Sequence, residues 1–333
     1  MPKKPRRPNN TLLLFLVLLT GLCLGGLTAL AVGCRAGSQG LAEPVRMRVI
    51  ATKDFGRELI FDRTVTVEKR LTAQTLLGRV TDFEMDGSYI VEFEGLRGND
   101  RVYWLYYVNG FMSNVFASGY NMRPGDVMQW DFHHWAGTRH GGSAIIGSFP
   151  EPFLHGFGGK VSHTIIAYGE GFSAEAEALF DRLGALGVQG ISLAHMAELT
   201  DRERSESNLI LIGLPQEEAM AQLNGAHVPL GLYVWFEEGR MIGGNWKFEP
   251  ITEFPPGAGV IQASQNYWNK HGIGACENAI FMVSGTDAAG VQNAARALIG
   301  CADAILAGGN SAIQNAFGAV ITPEGEVIRT PLW

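Results

Sequence analysis

The chain has 333 residues, of which 46% are hydrophobic and 18% are charged, and its formal net charge is −7. This length suffices for about two domains with cores of their own, and the apolar content is too high for a disordered chain. The acidic balance argues against general nucleic-acid binding, which needs a basic surface. Four cysteines without CxxC spacing exclude a zinc finger and a disulfide-dense miniprotein.

The N-terminus carries four cations followed by a long apolar run. Lys3, Lys4, Arg6 and Arg7 precede residues 11–33, where every residue is apolar, small or Thr. As a helix this run would span about 34 Å, which is enough to cross the hydrocarbon core of a bilayer. The preceding cations favour a cytoplasmic N-terminus with the remainder of the chain exported.

Residues 30–34, Leu-Ala-Val-Gly-Cys, resemble a bacterial lipobox, with Ala31 where leucine is usual. Two interpretations stay open, namely lipidation of Cys34 after cleavage and an uncleaved transmembrane anchor. A buried core helix is a third, but it does not account for the purely basic leader. Both leading interpretations place the body of the protein outside the cytoplasm. We therefore predict a signal or anchor over 1–34, and a Gly/Ser/Ala-rich linker over 35–44.

Residues 45–136 combine strand patterns with one helical pattern. The apolar spacing over 72–83, behind Thr72 as N-cap, predicts a helix. The Asn109-Gly110 pair between two β-rich runs predicts a hairpin turn. These features predict an α+β domain, β-grasp-like, with one helix on a mixed sheet. Its strands are predicted at 45–51, 64–68, 89–93, 102–108, 111–116 and 127–132.

Residues 137–161 are rich in Gly and are predicted to link this domain to a second one over 162–333. The second domain alternates apolar strands with helical patterns, the clearest at 174–186, 216–223 and 288–299. Such alternation is typical of an α/β domain with a largely parallel sheet covered on both faces. Its strands are predicted at 164–167, 209–212, 232–236, 259–263, 279–283 and 319–321.

Cys276 and Cys301 flank a strand–turn–helix pattern in the second domain. The helix of such a unit returns towards the start of the strand, so both sulfurs lie at one end of the sheet. Outside the cytoplasm a disulfide between them is geometrically allowed. Two buried free thiols are an alternative that the sequence supports equally well.

No catalytic signature is complete. Gly159-Lys160 is followed by Val161, which does not complete a phosphate-binding loop, and neither HExxH nor GxSxG occurs. His133 and His134 are strand neighbours that point to opposite faces, so they do not readily bind one ion. We assign no catalytic residue, no metal site and no required cofactor, and we favour a non-enzymatic function over an enzymatic one.

The segment 102–135 is rich in aromatic residues. Along a strand, Tyr103 and Tyr107 share one face and Trp104 and Tyr106 share the other. A sheet with a single helix has only one face covered, so rings on both faces need a further partner. That partner can be a ligand, a loop or the second domain.

The order of these features resembles the C-terminal β-domain of the transcobalamin and intrinsic factor family, and bacterial exported domains similar to it. The resemblance covers about 47–135, from Leu71-Thr72-Ala73 at the helix start, through Tyr89-Ile90 and Gly95-Leu96, to the aromatic strand. In the animal proteins this domain and an α-helical barrel enclose cobalamin, so the resemblance implies cobalamin or a related corrinoid as ligand. The candidate ligand-binding residues are Tyr103, Trp104, Tyr106, Asn109, Tyr120, His133 and Trp135.

Two strand-to-helix turns of the second domain, at 208–215 and 283–290, resemble an α/β module of prokaryotic surface-layer proteins. This edge of an open α/β sheet is where ligands bind, although Thr286-Asp287 also suits a plain helix N-cap. The polar and aromatic run 265–269 is either a binding loop or a packing corner.

Together these features predict a membrane-tethered extracytoplasmic protein that captures a flat or amphipathic small molecule for uptake. Its expected partners are that molecule, a transporter or other cell-surface protein, and the membrane through the N-terminus, with no nucleic acid. The alternative is a structural cell-surface protein whose rings are interdomain packing. An unrecognised hydrolase is a third reading.

Overall fold

A computed structural model describes residues 40–135 and 143–333. The predicted signal or anchor over 1–34 and the lipid attachment at Cys34 lie outside these residues. Within the described ranges, no helix is both long and apolar enough to cross a bilayer. We refer to residues 40–135 as the N-terminal lobe and to residues 143–333 as the C-terminal lobe.

The two lobes contain eighteen strands and six α-helices in the described ranges, with 3₁₀ turns at Ile146–Ser148 and Met196–Glu198. The strands are β1 (Gly40–Lys53), β2 (Glu58–Lys69), β3 (Phe83–Asp86), β4 (Tyr89–Phe93), β5 (Leu96–Arg97), β6 (Val102–Val108), β7 (Phe111–Met112), β8 (Val127–His134), β9 (Thr164–Tyr168), β10 (Ile191–His195), β11 (Asn208–Ile212), β12 (Val234–Glu237), β13 (Arg240–Gly244), β14 (Pro250–Phe254), β15 (Gly259–Gln265), β16 (Ala279–Gly285), β17 (Gly318–Ile321) and β18 (Val327–Thr330). The helices are α1 (Ala73–Leu77), α2 (Ser173–Ala185), α3 (Asp201–Glu206), α4 (Glu218–Gly225), α5 (His227–Leu230) and α6 (Ala288–Leu306).

The N-terminal lobe is built on a five-stranded sheet in the order β2-β1-β8-β6-β7, beside a three-stranded sheet β3-β4-β5. β1 pairs with β8 in parallel, whereas β6 pairs with β8 and β7 in antiparallel fashion, so the sheet is mixed. The α+β class predicted from the sequence is confirmed. β1 begins at Gly40, inside the stretch that was predicted as linker.

Helix α1 is shorter than its apolar period predicts. The Thr72 hydroxyl accepts a hydrogen bond from the Thr75 amide at 3.1 Å, which caps the helix as expected. The helix ends at Gly78 after five residues. Val80 and Phe83 continue the apolar period, but they pack on the same core from the following turn and from β3.

The C-terminal lobe contains a seven-stranded sheet in the order β10-β9-β11-β16-β15-β17-β18. The first four strands are parallel, and β15, β17 and β18 are antiparallel to their neighbours. The prediction of a largely parallel sheet therefore needs correction to a mixed sheet. The reason lies in the connections: β15 reaches β16 through a loop without a crossover helix, and parallel neighbours need such a crossover.

Both faces of this sheet are covered, as predicted. Helices α2 and α6 pack on one face, where the core includes Leu179, Phe281 and Leu298. Helix α4 and the three-stranded sheet β12-β13-β14 cover the other face, where Leu211 and Met220 are buried.

Part of the stretch predicted as a linker over 137–161 is buried. Ile145, Ile146, Phe149 and Phe153 are each at most 5% exposed. Ile145 packs with residues of both lobes in a cluster that we call the seam, formed by Phe55, Tyr107, Ile145, Tyr233 and Phe317. Residues 41–333 accordingly form one compact unit.

Cys276 and Cys301 are both buried free thiols. Cys276 packs with Phe111 and Ala279, where the loop before β16 meets the N-terminal lobe. Cys301 lies in a different cluster, under helix α6. Of the two arrangements that the sequence allowed, a disulfide or two free thiols, the structure has the free thiols.

Candidate functional site

Strand β6 carries the aromatic residues singled out in the sequence, and two different cores cover its two faces. Trp104 and Val108 are buried in the core of the N-terminal lobe. Tyr107, on the opposite face, packs with Tyr233 and Phe317 of the C-terminal lobe. The protein's own two cores thus cover much of the aromatic surface of β6 for which the sequence predicted a further partner.

The rings of the N-terminal lobe form stacked pairs. Phe93 and Trp104 are stacked with centroids 3.6 Å apart, and Tyr106 and Trp130 are stacked at 4.8 Å. The Trp104 indole N–H donates to the carbonyl of Leu96 at 2.9 Å. The buried indole N–H of Trp130 has no acceptor among the described residues.

A cleft of about 590 Å³ opens beside these rings, and we call it the aromatic cleft. It lies between the β3–β4 turn, strand β6 and the turn that follows β7. None of its sixteen lining residues is charged. They are Ser88, Tyr89, Ile90, Tyr103, Trp104, Leu105, Tyr106, Met112, Ser113, Asn114, Val115, Phe116, Ala117, Ser118, Gly119 and Trp130.

The outer wall of the aromatic cleft is the turn after β7, and Tyr106 holds it in place. The Ser113 hydroxyl lies 2.7 Å from the Tyr106 hydroxyl, which in turn donates to the carbonyl of Val115. Asn114 fixes the other side of the turn by donating to the carbonyl of Gly274 at 3.0 Å. These bonds end β7 at Met112, earlier than the strand predicted over 111–116.

Two exposed rings meet at the mouth of the aromatic cleft. Tyr89 is 56% exposed and Phe116 is 48% exposed. Their centroids are 5.1 Å apart in an edge-to-face arrangement, and Tyr89 also lies 6.3 Å from the ring of Tyr103. Burial raises the pKa of Tyr103, and it raises that of Tyr106 to about 12, so both phenols are neutral hydroxyls near pH 7.

Three of the seven candidate ligand-binding residues, Tyr103, Trp104 and Tyr106, line the aromatic cleft. Trp135 does not line it, although it is 46% exposed at the end of β8. Asn109, Tyr120 and His133 also lie outside it, and their polar groups make hydrogen bonds within the protein.

Asn109 and Tyr120 both bind the buried carboxylate of Asp126. Asn109 donates to Asp126 and to the carbonyl of Gly156, each at 2.7 Å, and the Tyr120 hydroxyl donates to Asp126 at 3.1 Å. The Gly158 amide donates to the Tyr120 hydroxyl at 3.0 Å. These residues connect the hairpin to residues 156–158 of the C-terminal lobe, and their polar groups are bound within the protein.

His133 belongs to a buried network at the seam. Its Nδ1 lies 2.6 Å from the Asp131 carboxylate, and both residues are at most 1% exposed. Asp131 also accepts from the backbone amides of Phe55 and Gly56. The described residues contain no cluster of three or more His, Cys, Asp or Glu side chains placed to hold a metal ion.

Sequence reasoning missed the residues at the mouth of the aromatic cleft: Ser88, Tyr89, Val115, Phe116 and Ser118. They belong to two turns that are distant in sequence and meet only in the folded lobe. The signal present in the sequence was an aromatic residue next to turn-forming Gly and Ser, at Gly87-Ser88-Tyr89 and at 116–119.

The other segments singled out in the sequence have structural roles here. Asp287 caps helix α6 by accepting from the Gly290 amide at 2.8 Å. Asn266 donates to the carbonyls of Arg204 and Ser207, and Gln265 accepts from the Cys276 amide. The run 265–269 is thus a polar packing corner, from which Tyr267 projects at 43% exposure.

One family match is located in the N-terminal lobe. Residues 69–134 match a family model described as a domain of unknown function, DUF4430. No curated protein matches the chain.

Two solved structures are similar to parts of the chain. One is a protein of Ruminococcus gnavus ATCC 29149 named for a proposed ability to bind metal; it is 14% identical, with a TM-score of 0.22, and the match covers 28% of this chain and 98% of that one. The other is haptocorrin in complex with Cbi, 20% identical, with a TM-score of 0.23 over 31% of this chain. The match spans 29% of the haptocorrin chain.

Proposed function

We propose that the aromatic cleft binds a flat small molecule with an apolar face. The observation that carries this proposal is the pair of exposed rings, Tyr89 and Phe116, at the mouth of a cleft of about 590 Å³. Covering an aromatic side chain contributes about 1.5–3 kcal/mol. A planar ligand inserted between the two turns would gain this contribution from several rings at once.

A corrinoid is the ligand that we propose to test first. The resemblance of residues 47–135 to the β-domain of the transcobalamin family supports it. A macrocycle has a broad apolar face with a polar rim, which suits a cleft with stacked rings at its floor and hydroxyl groups at its edge.

We further propose that the protein works outside the cytoplasm, tethered through lipidated Cys34 or an uncleaved helix over 11–33. A tethered binding protein would pass its ligand to a transporter in the same membrane. The Cys34→Ser variant tests the tether. Its loss from the detergent-phase lipoprotein fraction would support lipidation, and unchanged retention would favour the uncleaved helix.

Ligand binding is tested by equilibrium dialysis of residues 40–333 with cobalamin and with cobinamide. We expect Phe116→Ala to weaken binding at least about tenfold, since it removes an exposed wall of the cleft. Because Phe116 is largely exposed, the same substitution should leave the Tm nearly unchanged. Tyr267→Ala, an equally exposed ring outside the cleft, is the matched control. Absence of binding by the wild-type protein, or equal binding by both variants, would contradict the corrinoid proposal.

The alternative is a structural surface protein without a small-molecule ligand. The observation that favours it is the burial of Tyr107 and Trp104 by the chain itself, at 0% and 3% exposure. In that case neither corrinoids nor other planar molecules would bind, and the Phe116→Ala protein would differ only in its contacts with other proteins.

A further inference from the structure

The aromatic cleft differs from the surface around it in carrying no charge. All sixteen lining side chains are neutral. Two arginines of the same lobe are paired with carboxylates: Arg97 binds Glu84 and Glu92 at 2.7 and 2.6 Å, and Arg63 binds Glu94. The lining itself contains no cation that could compensate a negative charge on a ligand.

The hydroxyl groups of the lining fall into two classes. Those of Tyr106 and Ser113 are engaged in holding the outer wall. Those of Ser88, Tyr89, Tyr103 and Ser118 make no hydrogen bond to any described part of the chain. Four neutral groups at the edge of the cleft are thus free to donate to a ligand and to accept from it.

An anionic ligand would meet an unfavourable environment here. Removing a charge from water without a compensating partner is costly, whereas a neutral amide or hydroxyl exchanges water for the free hydroxyls with little loss. Burial raises the pKa of the Tyr103 phenol and the negative charge of Asp86 raises it further, so the charge that acts on this edge residue is negative.

We infer that the aromatic cleft selects an uncharged planar molecule whose edge carries amide or hydroxyl groups, and that it rejects the corresponding carboxylates. This inference rests on the proposed function and names the chemical class of its ligand. Tyr103 and Ser88 act as edge contacts, while the stacked rings and Phe116 contact the plane.

A matched pair of fluorescent probes tests the inference: pyrene-1-carboxamide and pyrene-1-carboxylate, titrated by anisotropy into residues 40–333. The two probes share one apolar plane and differ only in the charge at the edge. We expect the amide to bind at least about tenfold more tightly, a difference of about 1.4 kcal/mol. Phe116→Ala should weaken both probes.

A second experiment tests the proposed contacts of the Tyr103 and Ser88 hydroxyls with the edge of the ligand, separately from the contacts with its plane. Tyr103→Phe combined with Ser88→Ala removes two free hydroxyls without changing the rings, and it should narrow the preference for the amide by about threefold or more. Tyr267→Phe, which removes an exposed phenol outside the cleft, should leave the preference unchanged.

The outcomes separate the two claims. If the carboxylate binds as tightly as the amide and both respond to Phe116→Ala, the ligand class is wrong and the cleft remains a binding site. If the preference survives loss of the two hydroxyls, these residues are not the edge contacts. If neither probe binds the wild-type protein, the proposed function fails together with the inference.

Discussion

Trp104 and Trp130 are a natural pair for measuring what one buried hydrogen bond contributes. Both side chains are 3% exposed and both pack in the core of the N-terminal lobe. The Trp104 indole N–H has the Leu96 carbonyl as acceptor, whereas that of Trp130 has no acceptor among the described residues. Their burial is alike, so their hydrogen bonding distinguishes them.

We predict that Trp104→Phe destabilises the protein by about 1 kcal/mol more than Trp130→Phe does. Each substitution removes a similar volume, but only the first leaves a carbonyl without its donor, and a net hydrogen bond contributes about 0.5–1.5 kcal/mol. Urea denaturation of the two variants measures the difference. Equal losses of unfolding free energy would mean that Trp130 also has a partner, such as a buried water.

At the scale of elements, Glu151 and His155 form a cluster of ionisable groups together with Asp126 of the N-terminal lobe. His155 binds the buried carboxylate of Glu151 through its Nδ1 and its backbone amide. Asp126 also acts on the His155 ring through its charge. The hydrogen bond to Glu151 raises the pKa of His155 above its usual value of 6.5, against the opposing effect of burial.

This shift predicts a pH dependence of stability. The folded protein binds the His155 proton more tightly than the unfolded chain does, so the contribution is fully present below pH 6.5 and is lost as pH rises through the raised pKa. Burial also raises the pKa values of Asp126 and Glu151 above their usual values of 3.8 and 4.5. Their contributions to stability are likewise lost as pH rises, but the loss begins at a lower pH than that of His155. We therefore expect Tm to fall between pH 6 and pH 8.

Two variants assign that slope to the pair. His155→Gln removes the titrating ring and Glu151→Gln removes the carboxylate that holds its proton, so either should flatten the fall in Tm. Thermal melts at closely spaced pH values measure the slope. A His155→Gln protein that keeps the wild-type slope would show that another group is responsible.

The elements that the sequence predicted well have local signals. Asn109 and Gly110 have φ angles of 51° and 80°, which few residue types other than Asn and Gly adopt readily, and they form the predicted two-residue turn between β6 and β7. The direction of β15 has no such local signal, because an apolar strand looks the same whether its neighbour is parallel or antiparallel.

The aromatic cleft was predictable only in part, for the same reason. Alternation along β6 places Tyr106 on the face of Trp104 in any sheet, but it places Tyr103 on the opposite face, although all three residues line the cleft. That Tyr89 meets Phe116 depends on how the β3–β4 turn packs against the turn after β7, which is a tertiary contact. Asn109 and Tyr120 have the polar groups of ligand contacts, and only the folded structure shows that Asp126 already binds them.

At the scale of the whole molecule, the seam makes the two lobes one structure. Phe317 of the C-terminal lobe packs edge-on against Phe55 and Tyr107, with centroids 5.3 Å apart in each case. Gly56 lies so close to the C-terminal lobe that a Cβ atom there would be 1.8 Å from the carbonyl oxygen of Asn315. A side chain at residue 56 would therefore separate the lobes.

A seam this closely packed predicts that both lobes unfold together. Removing the Phe317 ring should cost about 3–5 kcal/mol, the usual range for a buried phenylalanine cut to alanine. Because Tyr107 and Phe55 lose their cover as well, the loss should reach strands of both lobes. Hydrogen exchange measures it, since the slowest amides of a cooperative unit exchange through global unfolding.

We expect Phe317→Ala to lower the protection of the slowest amides in β8 and in β16 by the same free energy. Leu306→Ala, at a 44% exposed position of helix α6, is the control and should change neither strand. A loss confined to β16 would mean that the lobes open independently. Equal losses would mean that the C-terminal lobe supports the aromatic cleft, because β6 carries Tyr107 on the face towards the seam and Trp104 on the other face.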